Sequence, residues 1–185
     1  VARLVGVKDA ELSLERYDVV SEKWLGVGPG FSQRSRLNLY VKSTGGMLMN
    51  QVLGFKSSFK FCSPDLVIIQ KGLDDLMYST PSEYGKALSK LVKFFQGGSR
   101  VVVCSPQPSI HKSQAGFAEA AQEVSKALGV TFVDVYSAFL ARDASALSAL
   151  YIDSEKLNRY GHEMMAALIY GLFTDEPSRV WEMKP

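Results

Sequence analysis

The stretch "DLVIIQKGLDD" (65–75) decides the fold. Its first half is an apolar run without polar alternation, the pattern of a strand covered on both faces. Its second half, Lys71-Gly72-Leu73-Asp74-Asp75, is a turn with glycine and acid at its centre. Working outward, "RLVGV" (3–7), "LNLYV" (37–41), "RVVVCS" (100–105) and "VTFVDV" (130–135) read as strands of the same buried kind. Helical patterns fall between them. The segment 81–95 has Pro81 near its start, Leu88, Leu91, Val92 and Phe95 on one face, and Gly97-Gly98 behind it. The segment 113–129 places Phe117, Ala121, Val124 and Leu128 on one face and stops at Gly129. A last helix is predicted within 157–173. This alternation implies an α/β protein, a three-layer α/β/α sandwich around a central parallel sheet of about five strands. The glycine- and proline-bearing region 18–35 reads as a long surface loop.

The 185 residues fit a single domain, 1–185, with enough chain for a substantial core. Apolar residues at 46% and charged residues at 22% argue against disorder. A net charge of +2 names no partner by itself. No apolar run approaches the roughly 20 residues that span a bilayer, so no membrane partner is expected. The chain opens at Val1 in a strand-like run, which points to a domain excised from a longer protein. Two cysteines, Cys62 and Cys104, make neither a disulfide framework nor a metal cluster. A reducing, cytoplasmic setting is expected, with no metal and no cofactor.

In folds of this type ligands bind beyond the carboxyl ends of the strands. The residues found there are Lys8-Asp9-Ala10, Lys42-Ser43-Thr44-Gly45-Gly46, Lys71 to Asp75 and "SPQPSIHKSQ", with "DSEKLNR" (153–159) before the last helix. This order resembles the SGNH (GDSL-type) hydrolases over nearly the whole chain, a flavodoxin-like fold. That family carries Gly-Asp-Ser after the first strand, a glycine after the second, Gly-x-Asn-Asp after the third and Asp-x-x-His before the last helix. Here Ala10 stands at the nucleophile position beside Asp9, and the second-block glycine is Gly45 or Gly46. Asp74 stands at the oxyanion-binding Asn, and Asp153-Ser154-Glu155-Lys156 replaces Asp-x-x-His. Leu157-Asn158 and Gly161 match family residues.

Each substitution removes a different function. Ala10 has no oxygen with which to form an acyl-enzyme. Lys156, when charged, accepts no proton. Asp74 sets a carboxylate where a developing oxyanion needs a neutral donor. The resemblance with these losses implies a pseudoenzyme. The competing reading is an active esterase or acetylhydrolase with a rearranged site, pairing Ser13 or Ser43 with His111 or His162. Against it, Ser13, one helical turn past Ala10, reads as a helix-cap or surface serine and Ser43 as a turn residue.

The strand-end positions also collect Lys8, Lys42, Lys71, Lys112, Lys156 and Arg159. Such a rim suits a polyanion, with phosphate contacts supplying affinity. Tyr160, Trp24 and Phe31 are candidate stacking partners for bases. The opposing expectation is that Asp9, Asp74, Asp75 and Asp153, on the same rim, pair with these lysines. A degenerate SGNH domain with a basic rim resembles the OSK-type domains of insect germ-plasm organisers. That resemblance implies binding of messenger RNA and association with ribonucleoprotein or germ-granule proteins. A protein-interaction scaffold is a third reading, with "RVWEMKP" (179–185) as its candidate patch.

Overall fold

The computed structural model describes residues 11–18, 23–26, 36–41, 46–59, 63–110 and 113–172, which fall into two units, 1–45 and 46–185. In the first unit, β1 (Glu11–Asp18), β2 (Lys23–Gly26) and β3 (Arg36–Val41) form a three-stranded sheet in the order β2-β1-β3. β1 runs parallel to β3, with Leu12 opposite Leu37, and antiparallel to β2, with Tyr17 opposite Trp24. Two expectations need correction here. Region 18–35 is not all loop, because residues 23–26 pair with β1. Ser13 lies within a strand rather than at a helix cap, so the helical spacing from Ala10 does not hold. The expected strand 3–7, with Lys8, Asp9 and Ala10, lies outside the described residues.

The second unit begins with α1 (Met49–Val52), continued by a tighter 3-10 segment, Leu53–Phe59. Then follow β4 (Leu66–Gln70), α2 (Asp75–Tyr78), α3 (Pro81–Gln96), β5 (Arg100–Cys104) and α4 (Ala115–Leu128). The chain continues through β6 (Thr131–Val133), α5 (Val135–Leu140), α6 (Ala144–Ser148) and α7 (Arg159–Tyr170). β4, β5 and β6 make a parallel sheet in that order, with Val67 opposite Val101 and Val102 opposite Thr131.

Alternation along β5 explains the layering. Val101 and Val103, with Ile69 of β4, enter a core with Leu88, Val92 and Phe95 of α3 and Phe117 and Ala121 of α4. Val102 and Cys104 point the other way, into a core with Val133, Val135, Phe139, Leu157 and Met164. Because successive side chains leave opposite faces of a strand, a run of apolar residues binds helices on both sides. The three-layer α/β/α arrangement follows. Burial pushes the Cys104 thiol up to about 12 and keeps it protonated. β4 departs from the expectation for a doubly covered strand, since Leu66 and Ile68 remain exposed.

The helix boundaries have local causes. At α3 the Thr80 hydroxyl accepts from the Glu83 N–H while the Glu83 carboxylate accepts from the Thr80 N–H, with Pro81 in the first turn. α4 ends at Gly129, whose φ of 64° is a left-handed cap. The strand expected over 130–135 stops at Val133, because the Asp134 carboxylate accepts from the Ser137 N–H and starts α5. Among the described residues no helix is long and apolar enough to cross a membrane.

Candidate functional site

The carboxyl end of β4 runs directly into Lys71 and Gly72. Gly72 adopts a φ of 131°, and a Cβ there would meet Pro106 at 3.1 Å and the Tyr84 ring at 3.2 Å. Only glycine fits this close crossing. The turn delivers two adjacent aspartates to the segment 46–49. Asp74 Oδ1 accepts from the Gly46 N–H at 3.2 Å, and Asp74 Oδ2 is ion-paired with Lys71 Nζ. Asp75 is buried and accepts from the Met49 N–H through both oxygens, at 2.9 and 3.2 Å. Desolvation raises the Asp75 carboxyl above the usual carboxylate range, against the lowering effects of the Met49 bond and of nearby Lys71.

Lys71 is therefore a different object from a surface lysine. Its side chain is only 12% exposed and paired with Asp74, while its carbonyl accepts from the Tyr84 hydroxyl at 3.0 Å. Among its expected site partners, it meets the carboxylate of the same turn.

The connection after β5 is buried from Ser105 through Ser109. Pro106 seats against Gly72, as above. Farther along, the Tyr151 hydroxyl bonds the Pro108 carbonyl, and the Ile110 N–H donates to the Ser154 carbonyl at 3.0 Å. The connection thus packs against the β4 turn on one side and the segment before α7 on the other.

In that segment, Asp153 Oδ1 accepts from the N–H groups of Glu155 and Lys156 at 2.8 and 2.7 Å. These backbone bonds, then the Lys156 ammonium, hold the Asp153 carboxyl below its usual range. Asp153 Oδ2 lies 3.3 Å from Lys156 Nζ. The Lys156 side chain is 78% exposed and that of Arg159 86%, with Arg159 Nε bonded to Glu163 at 2.7 Å. Tyr160 beside them is 46% exposed. Asn158 organises this start of α7: Oδ1 accepts from the Tyr160 and Gly161 N–H groups, and Nδ2 donates to the Ala149 carbonyl.

Of the six expected cationic contacts, the structure places Lys71, Lys156 and Arg159. It brings Lys156 and Arg159 to one helix start, and it gives each of the three a carboxylate partner, in line with the opposing sequence expectation. Lys8, Lys42, Lys112, Asp9, Ala10, Ser43, Gly45 and His111 lie outside the described residues. His162 is exposed on α7. Of the two glycine candidates, Gly46 is described, with a left-handed φ of 74° and its N–H on Asp74. Sequence reasoning missed Asp75 as the clamp on α1 and the bond from Gln70 Nε2 to Gln107 Oε1 at 2.6 Å. The acidic pair was a visible signal for the first; nothing marked the second. Among the described residues no group of three or more metal-ligating side chains occurs.

No protein-family model and no curated protein matches the sequence. Solved structures do match the fold. A lipase/acylhydrolase from Enterococcus faecalis aligns with a TM-score of 0.63 at 18% identity, over 75% of each chain. A catalytic mutant of an acetylxylan esterase from Geobacillus stearothermophilus aligns at 0.65 and 16% identity, over 82% of this chain and 76% of that one. A GDSL-like lipase from Bacteroides thetaiotaomicron aligns at 0.56 and 20% identity, over 74% of each.

Proposed function

Starting from an SGNH/GDSL-type α/β fold, we propose a catalytically inactive domain that binds RNA through the exposed basic and aromatic start of α7. The observation that carries this reading is that the groups a hydrolase would use are engaged with each other. Asp74 occupies the Gly46 N–H, and Lys156, at the position of the base, is paired with Asp153. Removing one oxyanion-hole donor costs an enzyme roughly 10²–10³ in kcat, and removing the nucleophile or base costs about 10⁶. With Ala10 at the nucleophile position as well, the combined loss leaves no useful hydrolysis.

RNA is the partner class these residues suit. Exposed ion pairs at i,i+3 and i,i+4 spacing contribute little to a fold, so Lys156 and Arg159 can exchange their carboxylates for phosphates. Tyr160 adds a ring on which an unpaired base can stack. Lys71, covered and paired, is the weaker contact. The degenerate blocks resemble OSK-type domains such as that of Oskar. On that finer reading the ligand is messenger RNA, the partners are germ-granule proteins and the compartment is the cytoplasm.

The test is fluorescence anisotropy with a labelled single-stranded RNA at low salt. Lys156→Glu with Arg159→Glu is expected to lower affinity at least tenfold, and the same assay on Lys8→Glu, Lys42→Glu and Lys112→Glu defines the surface further. Unchanged affinity in the double variant rejects the site. Turnover of a short acyl-nitrophenyl ester that vanishes in His162→Ala rejects inactivity and restores the esterase reading.

A further inference from the structure

The outward face of α3 carries a second group of cations. Lys86, Lys90 and Lys93 are exposed at i, i+4 and i+7 and span about 10 Å of the helix axis. They stand opposite the face that buries Leu88, Leu91, Val92 and Phe95. On the flank, Lys56 lies over the Phe94 ring at 5.6 Å. Unlike the cations at α7, none of these lysines has an ion-pair partner among the described residues. The single acid of α3, Glu83, is taken up by the Thr80 cap.

Like charges one turn apart on a helix repel, so the stripe is held at a cost that interspersed acids would relieve. What the face lacks narrows the partner that offsets this cost. The large exposed apolar side chains of the described residues, among them Met77, Tyr78, Ile152 and Tyr160, fall on neither α3 nor residues 53–59. A protein partner binds through apolar or aromatic anchors at the centre of its footprint, and a membrane surface takes up an apolar helix face. A phosphate backbone needs neither, because its affinity comes from neutralised charge.

We infer that Lys86, Lys90 and Lys93 form a second phosphate-contacting surface, which carries the backbone of an RNA strand without reading its bases. The choice of RNA among polyanions rests on the function proposed above. The face itself is separate from the start of α7, since α3 packs in the core on one side of the β4-β5-β6 sheet and α7 in the core on the other. A short oligomer therefore occupies one face at a time, whereas a long strand passes around the sheet and engages both.

The probe is a long, unstructured, labelled oligouridylate, followed by anisotropy across a salt series. With two contacts at α7 and three on α3, log affinity should fall against log salt with a slope of about −3.5, at about −0.7 per contact. Lys86→Gln with Lys90→Gln and Lys93→Gln keeps good helix formers on an exposed face, so the melting temperature should not fall. This triple variant is expected to lose about tenfold in affinity and to return the slope to about −1.4. Lys126→Gln, an exposed change in the last turn of α4, should leave both unchanged. An unaltered slope in the triple variant, or a loss per charge in Lys126→Gln equal to that in the stripe, overturns the inference and leaves the α7 reading standing. RNA affinity that survives the triple variant while binding of polyglutamate is lost assigns the stripe to an acidic protein and also overturns it. A native protein with no affinity for the oligouridylate rejects both.

Discussion

Single residues at the β4 turn carry opposite kinds of constraint. Gly72 is fixed by its backbone: at a φ of 131°, between Pro106 and Tyr84, any Cβ is both strained and crowded. Gly72→Ala is expected to cost about 1–3 kcal/mol in chemical denaturation, the range for a side chain forced into such backbone; a loss under about 0.5 kcal/mol would show that the turn relaxes freely. Asp75 is fixed by its charge. Its folded carboxyl is raised above the ordinary 3.8, so the folded state holds this proton more tightly than the unfolded chain does. Its contribution to stability is therefore greatest at low pH and declines as pH rises through the raised value. Measured against Asp75→Asn, which cannot titrate, the native protein should lose ground as pH rises from 3.8 through the raised value. A native protein that gains ground over that interval contradicts the assignment. Both residues lay in the stretch that decided the fold, yet only the turn was legible there. The clamp of Asp75 on Met49 joins residues 26 apart, and no local pattern encodes it.

At the level of elements, α7 is fixed by its first turn and by its close approach to the segment before it. Asn158 caps its first turn and reaches back to the Ala149 carbonyl. Gly161 lies where a Cβ would collide with the Leu150 carbonyl and the Leu157 side chain. Asn158→Ala should cost about 1–2 kcal/mol through the cap, and Gly161→Ala about 1–3 kcal/mol through overpacking. Urea midpoints at unchanged slope read both, and a neutral Gly161→Ala would mean that α7 shifts away from 150–157. The long elements α3, α4, β5 and α7 were legible because repeated apolar spacing reports burial over many residues. By contrast, α5 and α6 span 6 and 5 residues, too short for a period to emerge, and each is started by an aspartate cap, Asp134 and Asp143. β2 escaped for a related reason: its four residues sit in glycine-rich sequence and gain their order from pairing with β1. The candidate site divides likewise. Asp74, Asp153 and Lys156 could be placed by motif spacing, whereas the Gln70–Gln107 contact arises from two ordinary polar residues brought together by parallel strands.

For the molecule as a whole, 21 basic and 19 acidic side chains nearly cancel, so any affinity for a polyanion has to be local. If Lys156 and Arg159 make the main phosphate contacts, log affinity for single-stranded RNA should fall against log salt with a slope of about −1.4. A slope steeper than about −4 would assign most of the contacts to cations elsewhere in the chain. The buried connection from Ser105 to Ser109 has a further consequence for how the unit opens. It is held at the β4 turn by the packing of Pro106 on Gly72 and at the α7 approach by the bonds of Pro108 and Ile110. Solvent cannot reach the Ile110 amide until the Ser154 carbonyl lets go. In deuterium exchange this amide should share one opening event with the amides of 151–157, so that the strand ends breathe as a block rather than residue by residue.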